Sequence, residues 1–185
     1  MTTASDTSKR ECCHTLAAPG SVADRSIYEL DAAWETDAGQ PTMLISLAGK
    51  PQIVAMFYAS CHVTCPITLQ CVKQLESSLP ADLRSRVGFV LVTLDPQSDT
   101  TPVLHTFRRD QQLSDRWVLL RGNGLATRNL ARSLGVAFER DNYRLAHSTQ
   151  IALLDRNGKL ACRQIDLHES PKRLLAAVKT AVALP

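Results

Sequence analysis

Apolar residues in this chain gather into two kinds of run, and their alternation predicts a layered α/β fold. Ile53-Val54-Ala55-Met56-Phe57-Tyr58 and Val87-Gly88-Phe89-Val90-Leu91-Val92-Thr93-Leu94 are continuous apolar runs of strand length. That is the pattern of central strands covered on both faces. Between them, Ile67, Leu69, Cys71, Val72, Leu75 and Leu79 recur at helical spacing as far as Pro80. Pro66 suits the first helical position, where its missing N–H needs no partner. Asp99-Thr100-Thr101-Pro102 reads as the start of a helix over Val103 to Leu113, and Trp117 to Leu120 as a short third strand. Leu125 to Leu134 is helical and ends at Gly135. The runs Gln150–Leu154 and Lys159–Cys162 flank Asp155-Arg156-Asn157-Gly158, a hairpin signal. Ser170-Pro171 opens a last helix with Leu174, Leu175, Val178 and Val182 on one face. Upstream, Ser26 to Leu30 reads as a short strand, and Trp34 to Met43 as a hairpin about Asp37-Ala38-Gly39-Gln40. Residues 1–25 are small and polar, with Pro19-Gly20-Ser21 among them, and read as a flexible tail.

This order implies one α/β domain over residues 26–185. It has a central mixed sheet whose middle strands pair through right-handed crossovers, plus an N-terminal β-hairpin extension. The succession resembles a thioredoxin-like pattern. At 185 residues the chain has room for a full core. A net charge of +3, without a clustered basic face, argues against nucleic acid as a partner. No apolar run approaches the roughly 20 residues of a membrane helix. The opening MTTASDTSKR lacks the apolar centre of a signal peptide, so the expectation is either a cytosolic chain or a leader that was removed or lies outside this sequence.

Six cysteines, unevenly spaced, do not make a staple framework. Cys61 and Cys65 are the informative pair, in Phe57-Tyr58-Ala59-Ser60-Cys61-His62-Val63-Thr64-Cys65-Pro66. The segment joins a buried strand to a helix, at the carboxyl end where open α/β sheets keep their sites. A helix N-terminus also stabilises thiolates, so a lowered cysteine pKa is expected there. Two thiolates so placed can cycle through a disulfide or hold a soft metal such as Cu(I).

Three segments together carry a resemblance. Cys61-His62-Val63-Thr64-Cys65-Pro66 follows one strand, Asp95-Pro96-Gln97-Ser98-Asp99-Thr100 follows the next, and His147-Ser148 precedes the final hairpin. In order and spacing the chain, from about Tyr28 onward, resembles the Sco/SenC copper chaperones. The resemblance implies a thioredoxin-like fold and a copper site of Cys61, Cys65 and His147, suited to three-coordinate Cu(I) and open to Cu(II). It implies delivery of copper to the binuclear copper centre of cytochrome c oxidase, or reduction of that centre's cysteines. The partner is then that copper-site subunit or another copper protein. The expected setting is the periplasm or cell envelope, with membrane proximity through an N-terminal anchor, and the default state is a monomer. His147 stands where thioredoxins keep a cis-proline, and residues 141–150 contain no proline. The chain departs from the family where His62-Val63 replaces Pro-Asp between the cysteines. It departs again where Ala146, not an aspartate, precedes the histidine, which removes a carboxylate that could orient the imidazole.

The alternative is a thiol:disulfide oxidoreductase that uses the Cys61/Cys65 redox pair without metal, Cys61 attacking and Cys65 resolving. His62 is a candidate fourth ligand or an idle loop imidazole. Cys12-Cys13-His14 is a soft-donor cluster or an unordered tail. Cys71 and Cys162 read as packing, Met43 and Met56 as core, His105 and His168 as surface, and Arg108-Arg109 as a solvated helix face. Asp99 reads as a helix cap, and the role of Asp95 is left open.

Overall fold

In the computed structural model, residues 25–62, 64–140, 145–165 and 172–183 are described. Cys12, Cys13, His14 and His168 lie outside them, as do residues 1–24 of the expected tail. The two long apolar runs form β3 (Gln52–Phe57) and β4 (Gly88–Thr93), and every residue of both is buried. They pair in parallel, and β5 (Trp117–Gly122) pairs in parallel with β4. β8 (Ile151–Leu154) runs antiparallel to β3, and β9 (Leu160–Gln164) antiparallel to β8. The N-terminal hairpin, β1 (Trp34–Thr36) and β2 (Pro41–Thr42), joins the same sheet through β1 and β5. The order across the sheet is β2-β1-β5-β4-β3-β8-β9.

Side-chain alternation along β3 splits the core into two layers. Ile53, Ala55 and Phe57 face α1 (Thr64–Ser78), α3 (Thr101–Asp110) and α5 (Lys172–Ala183), packing with Leu69, Val72, Leu75, Leu104, Leu174 and Val178. Val54 and Met56 face the other way, against α4 (Gly124–Leu134) and its Ala126, Leu130 and Leu134. The mixed α/β fold is the thioredoxin-like one expected.

Some local expectations change. Ser26 to Leu30 is a 3-10 turn, Ile27–Glu29, because Ser26 Oγ caps it by accepting from Tyr28 N at 3.1 Å. The helix expected to begin at Pro66 begins at Thr64, which puts Cys65 inside its first turn. Any first-turn position lacks an intrahelical acceptor for its N–H, so proline fits the third as well as the first. Gly135 closes α4 in the left-handed conformation, φ 77°. Not legible were the short α2 (Ala81–Ser85), the 3-10 turn Leu44–Leu47, and a separate two-stranded ribbon of β6 (Phe138–Arg140) and β7 (Leu145–His147).

Candidate metal centre

β3 ends at Phe57, whose carbonyl still accepts from Leu94 N at 2.7 Å. The chain then turns, with Cys61 N donating to the Tyr58 carbonyl at 3.1 Å, and enters α1. Cys61 lies just ahead of the helix and Cys65 in its first turn. Both are buried, 8% and 5% exposed. His147, half-buried at the end of β7, is held opposite Phe138 by the ribbon's register. The Cys61 and Cys65 sulfurs and a His147 ring nitrogen all lie within 4.8 Å of one another. His147 Nε2 is 3.6 Å from Cys65 Sγ. No cis peptide bond occurs among the described residues.

The orientation of the imidazole is fixed without a neighbouring carboxylate. His147 Nδ1 is 3.1 Å from the Ser148 carbonyl. A carbonyl only accepts, so Nδ1 carries the hydrogen and Nε2 offers its lone pair toward the sulfurs. A backbone oxygen thus supplies what the residue before the histidine, here Ala146, does not. The Tyr58 ring meets the imidazole edge-on, with centroids 5.7 Å apart at 79°. Two soft thiols and one imidazole with its lone pair aimed inward are a donor set for Cu(I).

The electrostatics correct the expectation of two lowered thiol pKa values. Burial pushes the Cys65 thiol up to about 12, and its hydrogen bond with Cys61 adds to the shift. The helix terminus acts on the other sulfur, since Cys65 N donates to Cys61 Sγ at 3.4 Å. A residue inside the first turn is too far along the helix to receive its own N–H groups, whereas the residue just ahead of it can. Burial likewise raises Tyr58 to about 12, followed by its hydrogen bond to Cys61.

Asp99 supports the cysteine loop rather than capping α3, whose N-cap is Thr100. The Asp99 carboxylate, 2% exposed, accepts from Ala59 N at 3.0 Å and from the Thr93 hydroxyl. It thereby ties the end of β4 to the turn before Cys61. Asp95 closes its own turn, its Oδ1 accepting from Ser98 N at 3.3 Å. Glu35 holds this corner from outside: it accepts from Thr101 Oγ1 and pairs with Arg121, which also donates to the Pro96 carbonyl, each at 2.8 Å.

The remaining candidates separate. His62 is exposed and outside the three-residue group. Cys71 is a half-buried thiol outside any disulfide, packed against the core. Cys162 is buried in the core, as expected. Met56 is core, on the layer opposite the cysteines, whereas Met43 is 50% exposed because it precedes a 3-10 turn at the surface. His105 and Arg109 are surface residues. Arg108 is not: it makes a two-pronged pair with buried Asp37 and donates to the Trp117 carbonyl. Asp37 lies 71 residues away, so helix periodicity carried no sign of it. Thr64 and Tyr58, both touching Cys61, were missed as site residues, although the Cys-x-x-x-Cys loop itself contains Thr64.

Comparison with known proteins agrees with this geometry. A copper-binding description attaches to a protein of Stutzerimonas stutzeri that is 30% identical over 142 residues, 74% of this chain and 68% of its own length. The fold matches Bradyrhizobium japonicum ScoI, solved with copper bound, at TM-score 0.68 and 21% identity, covering 81% of this chain and 96% of that one. It also matches BsSco, of the Sco family of cytochrome c oxidase assembly proteins, at TM-score 0.70 and 20% identity, covering 85% and 95%. The SCO1/SenC family profile spans residues 30–183, and the chain belongs to that family.

Proposed function

We propose that this protein carries copper on Cys61, Cys65 and His147 and hands it to a copper protein, the copper-site subunit of cytochrome c oxidase being the leading recipient. The observation that carries the reading is the convergence of two buried sulfurs and an oriented imidazole within 4.8 Å, from segments 82 residues apart. Copper is here the cargo. A partner thiolate or imidazole would displace one donor at a time, which a three-donor site leaves room for. The names of the relatives support the copper and the oxidase connection. The family resemblance supports work in the periplasm or cell envelope, as a monomer.

The test is Cu(I) competition against a chromophoric chelator, with fully reduced protein. Tight one-to-one binding that is lost in Cys61→Ser and Cys65→Ser and weakened in His147→Ala is the expected result. Binding indifferent to His147 would remove the imidazole from the site.

One observation favours a second reading, in which the pair reduces a partner disulfide. The Cys65 thiol is held protonated and hydrogen-bonded to Cys61, as a resolving cysteine needs. Cys61 would attack the partner disulfide and expel a partner thiolate. Cys65 would then lose its proton to solvent and attack Cys61, leaving a Cys61–Cys65 disulfide and a partner reduced by two electrons.

A further inference from the structure

The two sulfurs of the site are not equivalent. Cys65 Sγ faces the His147 imidazole at 3.6 Å, is buried, and hydrogen-bonds the Cys61 side chain. Cys61 Sγ is ringed by hydrogen-bonding groups. The Cys65 N–H points at it from 3.4 Å, the Thr64 hydroxyl lies 3.7 Å away, and the Tyr58 phenol, three residues before it, interacts with the Cys61 side chain. Neither hydroxyl is there by accident of flexibility. Thr64 is the first residue of α1, and its carbonyl is fixed by Thr68 Oγ1 at 3.0 Å. Tyr58 is pinned by its backbone to Cys61 and by its ring edge to His147. Thr64 also fills one of the three positions that the Cys-x-x-x-Cys spacing leaves unspecified.

A thiolate can only accept hydrogen bonds, so with Cys61 bound to a metal a hydroxyl that bonds it must be the donor. Donors around a cysteine sulfur draw electron density from the metal–sulfur bond and tune the metal's potential. Cu(II) depends on that density more than Cu(I) does. We propose, building on the copper reading above, that the Tyr58 and Thr64 hydroxyls are positioning donors to Cys61 that bias the bound copper toward Cu(I). The bias is an equilibrium one: it changes the relative affinity for the two ions and needs no bound electron donor. It would let the carrier hold the ion in the state that soft donors of a recipient can take.

The experiment uses the whole chain, reduced, in four variants: Tyr58→Phe, Thr64→Val, the double variant, and Thr64→Ser. Cu(I) and Cu(II) dissociation constants are measured separately by chelator competition, and the sulfur-to-Cu(II) charge-transfer band is recorded. In the double variant the ratio of Cu(II) to Cu(I) affinity should rise about tenfold. That corresponds to a one-electron potential about 59 mV lower. The band should shift with it, and each single change should give a smaller effect. Thr64→Ser, which keeps the hydroxyl, should match the wild type. An unchanged ratio and band in the double variant, with both ions still bound, would overturn the tuning role and leave the copper reading intact. A Thr64→Ser protein that behaves like Thr64→Val would overturn the part given to Thr64. A wild-type protein that binds neither ion would overturn the copper reading, and this proposal with it.

Discussion

The strand–helix junction that carries Cys61 and Cys65 and the ribbon that carries His147 are held in different ways. The junction grows out of β3, a fully buried central strand, and enters a helix whose Leu69, Val72 and Leu75 are core residues. Its turn is tied to β4 by the buried Asp99 carboxylate. The ribbon is two short strands outside the main sheet. Two-stranded ribbons of that size are marginal alone. It is anchored by Phe138 packing on one core layer, by Ser148 N to the Ala137 carbonyl at 2.8 Å, and by Ala137 N to Ser148 Oγ at 2.9 Å. The cysteines are therefore presented by the core, and the histidine by an attachment to it. A carrier that must release its ion gains from having one donor on the weaker support.

If that contrast is right, removing either sulfur does more than removing the imidazole. Cys61→Ser or Cys65→Ser should cost more than the roughly 100-fold that marks the upper end for changes around a metal's ligands. His147→Ala should cost less than either, measured by chelator competition. Equal losses at all three positions would break the comparison, because the imidazole would then be as firmly presented as the sulfurs.

The next effect concerns the junction's own support. Asp99→Ala removes the acceptor of the part-buried Ala59 N–H and of the fully buried Thr93 hydroxyl, and an unsatisfied buried group costs about 1–3 kcal/mol. Urea unfolding of the metal-free protein should show a loss of that size. A loss within about 0.5 kcal/mol, typical of a surface change, would mean that the junction does not depend on Asp99.

The Cys65 thiol sharpens the same point through pH. An ordinary thiol ionises near 9.0, whereas the folded protein holds this proton to about 12. Below about 9 the thiol is protonated whether the chain is folded or not, and stability is at its full value. Above it the unfolded chain binds fewer protons than the native one, so stability falls as pH rises toward about 12. Metal-free protein should lose stability over that alkaline window, and Cys65→Ser should flatten the loss. An equal alkaline slope in both would place the effect elsewhere.

What could be read from the chain follows the same division. β3, β4 and the helix after Cys65 were legible because burial on both faces and a 3.6-residue period leave local patterns. The hairpin at Asn157-Gly158 was legible through its turn chemistry. The ribbon was not, because β6 and β7 are three residues each and carry no period. His147 was placed only through the order of motifs shared with a family. Asp99 looked like a cap because caps and loop anchors use the same residue type, and only the fold decides which amide the carboxylate meets. The Arg108–Asp37 pair and the Glu35–Arg121 pair join residues 71 and 86 positions apart, a distance at which a single sequence says nothing.

The smallest effect should come from the ribbon's own fastening. Ser148→Ala removes the hydroxyl that accepts from Ala137 N but leaves the Ser148 carbonyl that orients the imidazole. The bond is exposed, so water replaces it and global stability should fall by no more than about 1 kcal/mol. The informative readout is local. Hydrogen exchange at the described amides of β6 and β7 should be faster than in β3 before copper is added, and faster again in Ser148→Ala. Cu(I) should slow it by tying His147 to the sulfurs, while β3, already held by the core, should not respond. Exchange in the ribbon as slow as in β3, with or without copper, would mean that the two regions are equally firm, and that His147 is no easier to release than the cysteines.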